Sequence, residues 1–150
     1  MSALANLHAC AVALGGRGVL IRGAAGSGKS TLVLALLRRG PAARVEAELV
    51  ADDRVIAEQS EGAIKLSAPG ELAGLLEIAG VGIVREQFRP SVPLWLVVDL
   101  VAPEAMIRHP LPQTADVLGH AVPLLGLPRR EAALATDILI TLAISGRLPD

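Results

Sequence analysis

Aromatic residues are almost absent from this chain. Phe88 and Trp95 are the only two in 150 residues, and there is no tyrosine. Single-stranded nucleic acids are gripped by stacking bases on aromatic side chains, so this chain lacks that platform, and it offers little for stacking an adenine or guanine ring. Excess charge of either sign is also missing: Lys and Arg total 14, Asp and Glu total 15, and the formal net charge is −1. No electrostatic footprint for nucleic acid or an anionic membrane follows from that balance. Cys10 stands alone, which rules out an internal disulfide and a multi-cysteine metal site and suits a reducing compartment. No Lys or Arg precedes Arg17, so the apolar stretch from Met1 to Leu14 lacks the basic start of a secretory signal. Leu7-His8-Ala9-Cys10 resembles a lipoprotein cleavage site only loosely. Uncharged apolar runs stay below the roughly 18 residues of a membrane span. The cytoplasm is the expected location, with neither nucleic acid nor membrane as partner.

What is present is a hydrophobic globular composition, 52% apolar and 19% charged. The length suits one domain, expected to occupy residues 1–150. Its organising stretch is Gly23-Ala24-Ala25-Gly26-Ser27-Gly28-Lys29-Ser30, which fits the Gly-x-x-x-x-Gly-Lys-Ser phosphate-loop pattern. Gly18–Arg22 before it reads as a buried strand, and Thr31–Arg39 after it reads as a helix. That context gives the motif its chemistry. Glycines let the backbone curl so that N–H groups converge on phosphate oxygens, and the helix start adds partial positive charge. Lys29 can reach β- and γ-phosphates, and the Ser30 hydroxyl can sit on Mg²⁺. A nucleotide-binding loop comprising Gly23 to Ser30 and Thr31 is predicted.

Alternation at Leu7, Ala9, Ala11 and Ala13 predicts a strand, and Gly15-Gly16 a hairpin turn into Gly18–Arg22. The phosphate-loop strand therefore gains an antiparallel neighbour, unlike a simple doubly wound fold. The helix should stop at Gly40-Pro41, with Arg38 and Arg39 as a solvated complement to its dipole. Leu49-Val50-Ala51 reads as a strand entering Asp52-Asp53, followed by a hairpin through Gln59–Gly62. Two aspartates there fit metal or water-side chemistry, and they fit a charged turn equally well. Leu75–Val84 is apolar but for Glu77, a carboxylate costly to bury without a partner. Pro93–Val101 is the clearest core strand. Ala102–Pro128 is proline-rich and reads as mostly loop, with a short strand over 121–127. A terminal amphipathic helix is expected between Arg129 and Arg147.

Two places could supply the acid that serves the phosphate loop. The apolar run ending at Asp99 matches the usual pattern better than Leu49–Asp53 does. His8, as a lone histidine on a strand, would ordinarily be structural.

In order and spacing, four stretches resemble the catalytic domain of the HPr kinase/phosphorylase family: Leu7-His8-Ala9, Gly23–Ser30, Leu49–Val55, and Leu75–Val84. The last is similar to the family's Leu-Glu-x-Arg-Gly-x-Gly signature. The resemblance covers most of residues 7–101 and is nearest to the short, alphaproteobacterial-type form. It implies an α/β fold with a P-loop nucleotide-binding core of the phosphoenolpyruvate carboxykinase-like type, a mixed sheet with an antiparallel strand beside the P-loop strand. It implies ATP- and Mg²⁺-dependent phosphorylation of a seryl residue on the phosphocarrier HPr, in phosphotransferase-system regulation, together with the reverse dephosphorylation. By the same resemblance Asp53 is the base, His8 supports it and Lys29 meets the phosphates. Ser30, Asp52 and Glu77 then serve the metal, and the assembly is a homo-oligomer, a hexamer in longer members. The family's N-terminal regulatory domain is expected to be absent and its C-terminal extension reduced. Departures are visible. Ala79 replaces the signature arginine, leaving Arg22, Arg54 or Arg85 as possible substitutes. Ser30-Thr31 replaces Ser-Glu, and the family's Gly-Arg-Asn segment is approached only at Arg129. The rival readings are a nucleotide-binding regulatory module without catalysis and a small-molecule P-loop kinase.

Overall fold

The computed structural model describes residues 3–148. Where one strand was expected over 7–13 there are two, β1 (Leu4–His8) and β2 (Cys10–Leu14), separated at Ala9. The break has a pairing cause. β2 lies antiparallel to β3 (Arg17–Arg22) and to β4 (Ala47–Ala51), whereas β1 lies antiparallel to β5 (Arg54–Ser60). The chain thus changes partner at Ala9, opposite the point where β4 gives way to β5. Leu14 faces Arg17 across the two-residue Gly15-Gly16 turn, the tight hairpin that the sequence predicts.

Helix α1 (Lys29–Arg39) follows the phosphate loop and ends at Gly40, with a short 3-10 turn over Pro41–Ala43. After β5 the chain turns at Glu61-Gly62 into β6 (Ala63–Ser67). The apolar run with two glycines then folds as a separate hairpin, β7 (Leu75–Ile78) and β8 (Gly82–Arg85). Strand β9 (Val92–Val101) is the longest in the fold. Within the proline-rich segment 102–128 the short strand expected over 121–127 is present as β11 (His120–Pro128), and the loop expectation is corrected at β10 (Gln113–Val117), which pairs with β11 as an antiparallel hairpin around Leu118-Gly119. Prolines are compatible with those strands because Pro123 and Pro128 lie in positions that need no ladder donor. Helix α2 (Ala132–Ser145) closes the described chain, and Gly146 caps it at φ 69°.

The main sheet runs β1-β5-β6-β9-β3-β2-β4, with β11 on the other edge of β9 and β10 beyond it. β9 is parallel to both β3 and β11, and the remaining pairs are antiparallel. This is a mixed α/β sheet with the antiparallel β2 beside the loop-bearing β3, as predicted. It curls, because both ends of the order are joined by continuous chain at Ala9 and at Asp52-Asp53.

Alternation in the strands divides the core between two faces. Val12, Leu14, Val19, Ile21, Leu96 and Val98 face α1 and α2, where Leu32, Leu36 and Leu139 are fully buried. Ala11, Ala13, Leu20, Val97, Val55 and Leu66 point the other way, into the curl of the sheet, with Val117 and Val122 of the β10–β11 hairpin. Arg17 lies over the Trp95 ring at 5.3 Å and donates to the Gly146 carbonyl at 2.9 Å, tying the end of α2 to the start of β3. Arg38 is not merely a solvated dipole complement, since it pairs with Glu86 just after β8 and anchors the small hairpin to α1.

Candidate active site

The partner change at Ala9 creates the site. Residues 8 and 10 flank it at a strand's two-residue period, so their side chains share a face. Opposite them, Asp53 adopts φ 66°, and the Arg54 N–H donates to the Asp52 carbonyl at 2.8 Å. That is a three-residue γ-turn with Asp53 at its centre, a strained conformation of the kind that collects at functional sites. It delivers two adjacent carboxylates to two different neighbours. His8 Nε2 donates to Asp53 Oδ1 at 2.9 Å, and the Cys10 thiol donates to Asp52 Oδ1 at 3.1 Å.

The aspartates also differ in environment. Asp52 is 9% exposed, and besides Cys10 it accepts from the Ser30 hydroxyl at 2.7 Å and from the Glu77 main-chain N–H at 3.0 Å. Three donors therefore hold its carboxylate against the start of α1. The Asp53 and His8 side chains are 68% and 61% exposed. One carboxylate is held inside and the other is presented to whatever enters. Burial pushes the Cys10 thiol up to about 12, helped by the negative charge and hydrogen bond of Asp52 and opposed by the Asp53 main chain, so it serves as a protonated donor.

Gly23–Ser30, the stretch that fits the phosphate-loop pattern, spans from the end of β3 to the start of α1. Lys29 is only 8% exposed, and its ammonium donates to the carbonyls of Gly23 at 2.8 Å and Ala24 at 3.3 Å. Gly28 sits at φ 92°, a backbone state that side chains disfavour. One cleft of about 520 Å³ brings together His8, Asp53, Lys29, Ser30, Thr31 and Glu77, with Ala25, Gly26 and Gly28 of the loop at its wall. Gly23, Ala24 and Ser27 complete the loop; Ser27 is buried, its hydroxyl tucked toward Gly23. Glu77 is exposed on β7, so the cost anticipated for burying it does not arise, and Asp52 is instead held by its N–H.

Ser30 and Asp52 offer hard oxygen atoms, the donor chemistry that Mg²⁺ prefers. Among the described residues no three His, Cys, Asp or Glu side chains converge on a point.

Asp99, favoured by strand pattern alone, is engaged elsewhere. Its two oxygens accept from Arg22 Nε at 2.7 Å and Nη2 at 3.0 Å, and this fork raises the Arg22 pKa. It lines a different pocket with Met106 and Gln113. Arg22, Arg54 and Arg85 do not line the phosphate cleft, and Ala79 does. Arg129 gives its N–H to the Val101 carbonyl at 2.8 Å, while its neighbour Arg130 reaches the phosphate loop. The sequence reading therefore missed two residues. Cys10 could have been found from its two-residue spacing to His8. Arg130 had only the signal of an arginine pair, with nothing to choose between its members.

The site's geometry can be set beside known proteins. A family profile described as HPr Serine kinase C-terminal domain matches residues 1–145. The chain is similar to the HPr kinase/phosphorylase of Lacticaseibacillus casei (strain BL23), at 44% identity over 80 residues. It is similar also to that of Clostridium botulinum (strain Eklund 17B / Type B), at 38% over 79 residues. Each match covers 53% of this chain, but only 23% of the first protein's length and 24% of the second's. Among solved structures, the Hpr(Ser) kinase/phosphatase from Coxiella burnetii superposes with a TM-score of 0.82 at 30% identity. That likeness covers 95% of this chain and 90% of the other.

Proposed function

The chain belongs to the HPr serine kinase C-terminal domain family, and from that premise we propose that it transfers the γ-phosphoryl group of ATP to a seryl residue of HPr and also catalyses the reverse dephosphorylation. The observation that carries this reading is the exposed Asp53 carboxylate, fixed by His8 at 2.9 Å, at the mouth of a cleft whose wall is the phosphate loop. A base that acts on a protein side chain has to be presented outward, and Asp53 is.

In this reading residues 1–150 act as one catalytic domain with a phosphate-loop core of the phosphoenolpyruvate carboxykinase type. Loop amides and Lys29 hold the phosphates of ATP. Ser30, Asp52 and Glu77 form the metal side. Mg²⁺, when bound there, would offset the negative charge on the phosphates. Asp53 orients the seryl hydroxyl and accepts its proton as the bond from seryl oxygen to phosphorus forms and the bond to the ADP oxygen breaks. His8 fixes the Asp53 carboxylate through Nε2 and leaves the other oxygen to face the hydroxyl. In the reverse direction Asp53 returns the proton to the seryl oxygen. The cytoplasm is the proposed compartment. No described helix is long and apolar enough to cross a membrane. A hexamer is the proposed assembly, after the longer members that the chain resembles.

A second reading has one observation in its favour. Ala79 lines the cleft where the family signature carries an arginine, so a nucleotide-binding module without transfer is the alternative. Transfer of labelled phosphate from ATP to purified HPr separates the two. Asp53→Asn should lower transfer by at least about 10²-fold, the scale of a positioned general base, with ATP affinity changed little. Transfer that survives Asp53→Asn removes the assigned base. Absence of transfer by the native chain, with ATP still bound, selects the non-catalytic module.

A further inference from the structure

Arg130 lies outside the cleft and yet addresses the phosphate loop twice. Its main-chain N–H donates to the Ser27 carbonyl at 3.1 Å, and its side-chain Nε–H donates to the Gly26 carbonyl at 2.9 Å. The backbone there is strained to do so: Arg130 has φ 58° in the turn between β11 and α2. The approach is close as well as polar. A Cβ added at Gly28 would stand 3.6 Å from the Arg130 N and Cα, and one added at Gly26 would stand 3.6 Å from its Nη2. Cleft-lining residues include Gly26, Gly28 and Lys29 but not Arg130, so the arginine grips the loop from behind.

The orientation of the gripped groups matters. In a trans peptide the carbonyl and the following N–H point in opposite directions. Holding the Ser27 carbonyl toward Arg130 turns the Gly28 N–H away from it, toward the cleft. Holding the Gly26 carbonyl turns the Ser27 N–H away from Arg130 as well, and that N–H closes a turn within the loop by donating to the Ala24 carbonyl at 3.0 Å, so this bond fixes the loop's fold and not a free amide. A phosphate loop works through the convergence of such N–H groups. A loop containing three glycines among eight residues loses much conformational freedom when ordered. A clamp on its carbonyls supplies that order before the nucleotide arrives.

We propose that Arg130 is a positioning residue that pre-orders the phosphate loop through its Nε–H bond to the Gly26 carbonyl, setting nucleotide affinity without touching the nucleotide. This rests on the reading of Gly23–Ser30 as the cradle for ATP phosphates. It also ties the β11–α2 turn, far along the chain, to the donor site.

Side-chain geometry makes the test selective. In glutamine the amide nitrogen occupies the topological place of arginine Nε, so Arg130→Gln keeps a donor there and discards the charge. Arg130→Lys keeps the charge but puts a methylene in that place, and Arg130→Met removes donor and charge together. ATP binding measured by calorimetry should weaken about tenfold in Arg130→Met and in Arg130→Lys, the scale of one lost hydrogen bond from a charged donor. Arg130→Gln should stay within about threefold of the native chain, since it retains a neutral donor. Retention by Lys with loss by Gln would overturn the proposal in favour of direct charge on the phosphates. Native affinity in all three variants would overturn it outright. The Gln–Lys contrast is independent of any stability loss the variants share. Lys29→Ala is the control for the underlying reading: if it leaves ATP affinity unchanged, the nucleotide assignment fails, whatever Arg130 does.

Discussion

Asp52 and Asp53 show how adjacent, chemically identical residues acquire different tasks. The γ-turn sends one carboxylate inward to three donors and the other outward to His8 alone. Cys10 belongs to the inward set, and its chemistry is correspondingly quiet. Burial pushes its thiol from the ordinary 9.0 up to about 12, and thiolate, the reactive form, is then scarce at neutral pH. Because Cys10 is the only cysteine, thiol titration reads it without ambiguity. The folded chain at pH 8 should react with a disulfide reagent far more slowly than the urea-unfolded chain, and equal rates would contradict the buried, hydrogen-bonded thiol. The linked stability has a definite sign. The folded state holds this proton more tightly than the unfolded state does, so the contribution is full below pH 9 and is lost as pH rises from 9 toward 12. Cys10→Ala should flatten the alkaline limb of a stability–pH curve, and an unchanged limb between pH 9 and 11 would refute the shift.

At the scale of elements, the pairing of β3 with β9 carries the loop, and Gly18 shows how close that pairing is. A Cβ there would stand 2.8 Å from the Pro93 carbonyl oxygen and 2.8 Å from Val92 Cγ1, where the register shifts between Gly18 and Val19. A carbonyl fixed in a central strand cannot move aside, so Gly18→Ala should cost about 1–3 kcal/mol, as overpacked sites do. Urea unfolding measures this, and a loss below roughly 0.5 kcal/mol, the range of ordinary surface substitutions, would show that the crossing adapts. The same elements show which parts of the fold can be read from sequence. The Gly15-Gly16 hairpin, the loop, α1 and β9 each carry their signal within a dozen residues, and each was legible. β7–β8 was not, since its glycines and Glu77 conceal a hairpin whose exposed face offers no alternation to read. β10 was hidden because only Ala115 and Val117 of its five residues are buried. The His8–Asp53 contact joins residues 45 apart through the β1–β5 pairing. No local pattern reports that distance, and only resemblance to a family brought the two together. Arg130 was missed for a related reason: which of two adjacent arginines meets the loop depends on a positive φ that the sequence does not display.

For the molecule as a whole, the two faces of the core are built from the same strands. Val12 and Leu14 of β2 serve one face while Ala11 and Ala13 serve the other, and β9 divides likewise between Leu96 and Val97. Neither half can be lost without exposing the other, so unfolding should be a single cooperative transition. The site shares this framework. Its loop is bound between β3 and α1, its aspartates lie where β4 meets β5, and its rear clamp comes from the turn before α2. A nucleotide that binds only this folded arrangement must therefore stabilise the entire molecule, not a loop alone. At an ATP–Mg²⁺ concentration about 100 times Kd the linkage is worth about 2.7 kcal/mol. A domain of this length gains roughly 2–4 °C per kcal/mol, so its melting temperature should rise by roughly 5–10 °C. Calorimetric melting with and without ATP and Mg²⁺ measures the rise. Lys29→Ala should abolish most of it while melting with a single transition. Two separated transitions, one of them insensitive to nucleotide, would show that the faces of the sheet are not coupled through β2 and β9. A shift that persists in Lys29→Ala would place the nucleotide away from the loop.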